Sequence, residues 1–204
     1  MYSRQIVRSI MNFKINVIIK ILILSDFLLF AASQLMAPIF AIFITDKIIG
    51  AGLTEIGIAS ALFLISKSIF EMPVGIMIDK TKSEKDDLYS AILGTILTGI
   101  VFILYIYVNQ IWQLYTLQIL LGIAGAIAYP GWCSIFTKHV DKGKEAFEWS
   151  LYDVMLGVGM AGAAALGGLA AELFGFNILF IVIAILTFLA GIMLFFIKDK
   201  IFLK

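Results

Sequence analysis

Lys67 and Glu71 stand four residues apart inside a long apolar run, a spacing that places them on one face of a helix. Asp26, Gln34, Gln118 and Asp153 are polar interruptions of other apolar runs. An ionisable group at the centre of a bilayer costs roughly 2.5 to 3.5 kcal/mol on insertion scales. Such groups are expected to face the interior of a helix bundle, one another, or a water-filled cavity. The chemistry they offer is binding rather than bond-making. Lys67 with Glu71 forms either a mutually neutralising pair or a site for a substrate or ion, and Asp26 either pairs with Lys67 or Lys20 or carries a proton. Gln118 serves as a hydrogen bond between helices or as an amide for a neutral polyol or sugar, and Gln34 joins it as a second amide within a span.

The elements that must position these residues follow from composition. The chain has 204 residues, 62 % of them hydrophobic and 14 % charged, and its mean hydropathy is +1.05. A chain of that kind cannot fold in water without exposing large apolar patches. It reads as an all-α integral membrane protein. A bilayer core takes about 20 apolar residues per helix, and six stretches satisfy this: 17–43, 54–78, 89–108, 113–136, 150–171 and 177–197. They use nearly all of 1–204, which reads as one transmembrane domain. The first stretch is too long for a cleavable signal peptide and carries Asp26 within it.

Several function classes are disfavoured. Cys133 is the only cysteine and His139 the only histidine, so no internal disulfide and no thiol or imidazole metal cluster is expected. No cofactor is expected, and the net charge of +1 gives no sign of nucleic-acid binding. The loops offer no nucleophile, base and orienting group at recognisable spacing, which argues against an enzyme.

Orientation is read from Lys and Arg. With the N-terminus inside, the inner segments hold thirteen: Arg4, Arg8, Lys14, Lys20, Lys80, Lys82, Lys85, Lys138, Lys142, Lys144, Lys198, Lys200 and Lys204. The outer loops hold only Lys47. Both termini are expected on the cytoplasmic side of a bacterial plasma membrane. Trp112 falls at an outer boundary, and Trp132 and Trp149 near inner ones. His139 reads as a solvated loop residue. The third and sixth stretches carry no charge and are expected to face lipid, leaving the first, second, fourth and fifth to line a polar path.

The fifth stretch is rich in glycine. Gly157, Gly162 and Gly168, with Gly159 and Gly167, let helices approach closely, either as tight packing in one subunit or as a sliding surface. A faint echo at an offset of 92 residues pairs Pro38 with Pro130, Asp26 with Gln118 and Gly75 with Gly167. It relates the first three stretches to the last three as inverted repeats, an arrangement found in transporter halves.

On these residues the chain resembles the N-terminal six-helix half of the major facilitator superfamily. The loop after the second stretch has the family's Gly, three residues, Asp, basic pattern as Gly75, Asp79 and Lys80, with Lys82 and Ser83 where Gly and Arg are expected. The fourth stretch keeps the glycine of the Arg, three residues, Gly pattern as Gly122, with Gln118 in the Arg position. The fifth stretch meets the antiporter pattern in Gly159, Gly167 and Gly168 but lacks its proline, and the run at 143–153 is similar to short bacterial members. The resemblance implies a secondary transporter of a small solute working by alternating access, a cytoplasmic gate at Asp79 and Lys80 rather than a mere loop anchor, and loss of the Arg-based proton route, while Asp153 either stays hydrated near the interface or joins the gate. Coupling to protons or another cation through Asp26 or Glu71, or passive diffusion, would supply the driving force, since no ATP-binding motif is present. One half makes one wall, so a parallel homodimer in the lipid bilayer is expected. The alternatives are one half of a heterodimer, or an accessory or scaffold subunit that does not transport.

Overall fold

The computed structural model describes residues 15–81 and 83–202. Of the expected inner basic residues, Arg4, Arg8, Lys14, Lys82 and Lys204 lie outside the described residues. All regular structure among the described residues is helical, and five helices are long and apolar enough to cross a membrane: α1 (Val17–Lys47), α2 (Leu53–Lys80), α3 (Glu84–Tyr107), α4 (Ile111–His139) and α5 (from Glu145). A short α6 (Lys198–Phe202) follows.

Local chemistry sets the helix starts. The Asn16 side chain accepts from the backbone N–H of Ile18 at 3.0 Å and opens α1. Glu55 reaches back to the N–H of Gly52 at 2.7 Å, and Gln113 does the same for Asn109 and Gln110 at 2.9 and 3.1 Å. Ser83 accepts from Lys85 N–H, and Glu84, Asp86 and Asp87 fill the first turn of α3, where negative charge complements the helix dipole. The third helix therefore starts at Glu84 rather than near 89, because charged residues that end an apolar run are good first-turn residues. Pro38 falls in a 3-10 turn, Ala37–Ile39, that interrupts α1. Pro73 and Pro130 lie inside α2 and α4.

The helical run of α5 extends from Glu145 to Phe195 but contains Gly175 at φ 78°, ψ 165°, a conformation open to glycine alone. Contacts with α1 show what happens there. Gly159 sits against Phe27 and Gly167 against the backbone of Leu35, while the Ser25 hydroxyl donates to the carbonyl of Ala190 at 2.9 Å. Phe176 and Phe180, just beyond Gly175, pack on Phe43 with ring centroids 5.4 and 4.9 Å apart. Gly159 and Ala190, nearly equidistant from Gly175, thus meet the same level of α1. The chain doubles back at Gly175, giving α5 two arms.

The packing order follows. Helix α2 lies along α4, α4 along α3, α3 against the second arm of α5, and α1 along both arms. Helices α1 and α4 touch only lightly. Two apolar cores form, one around Phe43, Tyr105, Leu114 and Phe180, the other around Leu22, Leu88, Ile135 and Phe136. Helices α1 and α4 therefore face each other across a gap, backed by α3 and the second arm. On the flanks stand α2 and the first arm. They are the flanks with the broadest open faces, Leu64, Ile65 and Ile69 on α2 and Val154, Val158 and Leu166 on the first arm all being exposed.

Candidate functional site

A cavity of about 520 Å³ occupies that gap. Helix α1 contributes Asp26, Phe30, Ser33 and Phe40 at helical spacing, and α4 contributes Gln118, Leu121, Gly125, Tyr129 and Trp132. Helix α2 adds Phe63 and Lys67, and α3 supplies the back wall with Thr95, Thr98 and Phe102.

The expectation that the first, second, fourth and fifth stretches line the path is corrected in one place. The first arm of α5 contributes nothing to the wall, and α3 does, with Phe180 of the second arm beside it. Helix α3 shows lipid only an outer face, including Leu93, Ile100 and Ile103. Its other face is small and hydroxylated: Gly94 lies against the backbone of α4, and Thr95 and Thr98 are buried. Absence of charge marked it as outer, but small residues are what allow close packing on both sides.

Three of the sequence candidates meet here. Asp26 is 6 % exposed and accepts the Tyr152 hydroxyl at 3.0 Å. Gln118 is 5 % exposed. Lys67 Nζ lies 3.8 Å from Glu71 Oε2 and 5.0 Å from the centroid of the Tyr129 ring. Asp26 and Lys67 line the same cavity, and Glu71 stands beside the lysine. Helix α4 makes room for the lysine. Gly122 lies directly against Ser66 and the backbone of Phe63 and Lys67, and a Cβ on Gly125 would stand 3.9 Å from the Lys67 Cδ and Cε atoms.

Other candidates sit elsewhere. Glu71 pairs with Lys67 but is not part of the wall, and Gln34 is half-buried on α1 outside it. Asp79 and Lys80 are exposed at the end of α2, and Asp153 is exposed on the first arm. Gly157 and Gly162 face open space, and Gly168 only approaches Ile39 at 4.0 Å. Close packing within the subunit is made by Gly159 and Gly167 instead, where a side chain would collide with Phe27 and with the Leu35 carbonyl.

His139 is also corrected, being 7 % exposed rather than solvated. Its Nδ1 is 3.0 Å from the Ile135 carbonyl oxygen and its Nε2 is 3.6 Å from Glu84 Oε2. Beside it, Asp87 is fully buried and accepts from Ser134 at 2.6 Å and Lys138 at 2.8 Å, tying α3 to α4. Glu148 is fully buried too and accepts from the N–H of Asp141 at 3.2 Å.

The residues that reading by charge missed are aromatic: Tyr129, Trp132 and Tyr152. The signal for two of them was present, since Gln118, Gly122, Gly125, Tyr129 and Trp132 share one face of a helix of period 3.6. Tyr152 is 126 residues from Asp26 and only the fold joins them.

Helices of this length and polarity arranged around a central cavity define a multi-pass membrane protein. The major facilitator superfamily model matches residues 22–201, and the chain belongs to that transport family. It is similar to the "Uncharacterized MFS-type transporter YitZ" of Bacillus subtilis (strain 168), with 27 % identity over 166 residues that cover 81 % of this chain and 98 % of the relative.

Proposed function

We propose that this protein is a secondary transporter of a small solute, working by alternating access as a parallel homodimer. The observation that carries the reading is the cavity holding Asp26, Lys67 and Gln118 between α1 and α4, flanked by two helices whose outward faces have no partner among the described residues. We read the two arms of α5 as two spans, giving six in all, built as two inverted three-helix repeats within a single domain, 1–204. The Lys and Arg bias between the two sets of loops supports a reading with both termini in the cytoplasm of a bacterial cell and the spans in its plasma membrane.

In this reading a twofold axis along the membrane normal brings α2 of one copy against the first arm of the other. The uncovered glycines Gly157, Gly162 and Gly168 then belong to the packing surface between copies, and Asp79, Lys80 and Asp153 close the inner gate across it. Two walls face each other, and rocking of one against the other exposes the site to each side in turn. Lys67, Glu71, Gln118 and Asp26 bind the solute, with Gln34 nearby. A coupled mechanism would load a proton or other cation on Asp26 or Glu71.

Native mass spectrometry of the protein in lipid nanodiscs, followed by solute flux in liposomes, tests this. A stable dimer and flux lost in Lys67→Ala and Glu71→Ala, both still folded, are expected. A monomer without flux would turn the reading to a heterodimer or to an accessory subunit.

A further inference from the structure

The cavity wall is chemically one-sided. Phe30, Phe40, Phe63, Phe102, Tyr129 and Trp132 dominate it. Its four small hydroxyls are already engaged, each donating to a carbonyl of its own helix: Ser33 to Leu29 at 3.0 Å, Ser60 to Ile56 at 3.0 Å, Thr95 to Ala91 at 2.8 Å and Thr98 to Gly94 at 2.9 Å. Those hydroxyls can still accept but have no proton left to give, so a polyol placed here would leave its own acceptor oxygens short of donors, a loss for each one unpaired. An apolar body loses nothing in the same place and gains the release of its hydration shell.

The charge in the wall is equally selective. Among the described residues the Lys67 ammonium makes no hydrogen bond within 3.5 Å; Glu71 is 3.8 Å away and outside the wall. Its N–H donors make no hydrogen bond among the described residues, although Glu71 is its ion-pair partner and the Tyr129 ring lies 5.0 Å away, and its stem is seated beside Gly125. Asp26, the acid in the wall, is nearly closed off and already accepts the Tyr152 hydroxyl. The Gln118 amide supplies a second donor in the same wall.

We propose that this cavity takes an amphipathic organic anion, an aromatic or otherwise apolar body bearing a carboxylate that binds at Lys67. The substrate class rests on the transporter reading, but binding can be measured without transport. The volume of about 520 Å³ suits a molecule of drug-like size.

The test is equilibrium binding to the full chain in nanodiscs with four probes: 1-naphthoate, its uncharged amide 1-naphthamide, the lipophilic cation tetraphenylphosphonium, and sorbitol. Naphthoate is expected to bind tightest. Lys67→Gln should weaken naphthoate about tenfold and naphthamide by less than about twofold, because only the charged partner is lost, and Lys67→Arg should restore naphthoate. A wild-type preference for tetraphenylphosphonium or sorbitol overturns the proposal, as does an equal loss of both naphthalene probes in Lys67→Gln. The wild-type ranking decides the matter even if a variant fails to fold. Flux in liposomes separates the two readings: naphthoate bound but not moved removes transport and keeps the site, whereas sorbitol moved with naphthoate unbound removes the site chemistry and keeps transport.

Discussion

Lys138 closes on Asp87 at 2.8 Å, and the two ends of that pair are unequal: the carboxylate is fully buried and the lysine is 41 % exposed. Removing the lysine leaves a buried carboxylate with only Ser134 as partner among the described residues, whereas neutralising the acid leaves a lysine that water can reach. Lys138→Met should therefore cost about 3 kcal/mol and Asp87→Asn about 1. Thermal unfolding in detergent checks this, and equal losses would refute it. The pair also shows where reading by residue type stops. Lys138 counted as an inner-loop charge, His139 as a solvated loop residue, and Asp87 was not singled out, yet all three meet at the junction of α3 and α4. Lys67 with Glu71 was legible because four residues is a distance fixed by the helix itself. Asp26 with Tyr152 was not, because their 126-residue separation is bridged only by folding.

At the scale of the helices, glycine has opposite meanings on one arm. Gly167 faces the Leu35 backbone, and Gly157 faces open space. Gly167→Ala should cost about 1 to 3 kcal/mol through overpacking. Gly157→Ala should leave the subunit as stable or up to about 1 kcal/mol more stable, since alanine is the better helix former. The stripe was visible in the sequence, but the registers of α1 and α5 decide which glycines are covered. Gly175 is a different case, because its φ of 78° and ψ of 165° strain any side chain by about 1 to 3 kcal/mol. Gly175→Ala should lower the unfolding temperature and loosen the return of the second arm, measured as faster hydrogen exchange around Ala190. The gap between the stretches 150–171 and 177–197 put a turn here, and Glu172 and Gly175 both lie in it.

For the whole molecule, long unbroken apolar runs were enough for an all-helical membrane protein, because only helices and closed barrels satisfy the backbone in lipid and barrel strands are short and alternate. Which helices face inward was only partly legible: charge pointed to α1, α2, α4 and the first arm of α5, of which the last lines nothing, while α3, which does line the cavity, carries small residues whose partners lie elsewhere in the chain. The proposed twofold makes a further prediction at this scale. Ile65 on α2 and Ala161 on the first arm are both exposed near mid-span on opposite flanks. In a Cys133→Ser background, Ile65→Cys with Ala161→Cys should give a covalent dimer on mild oxidation in membranes, and persistence of monomer would exclude that pairing. The cavity wall also carries Trp132, 4 % exposed and stacked on Phe136 at 4.8 Å, whereas Trp112 is 62 % exposed and Trp149 38 %. With those two replaced by phenylalanine, the remaining indole becomes a built-in optical gauge, its emission changing as the space beside it fills and empties, so the working cycle can be followed in real time without a label.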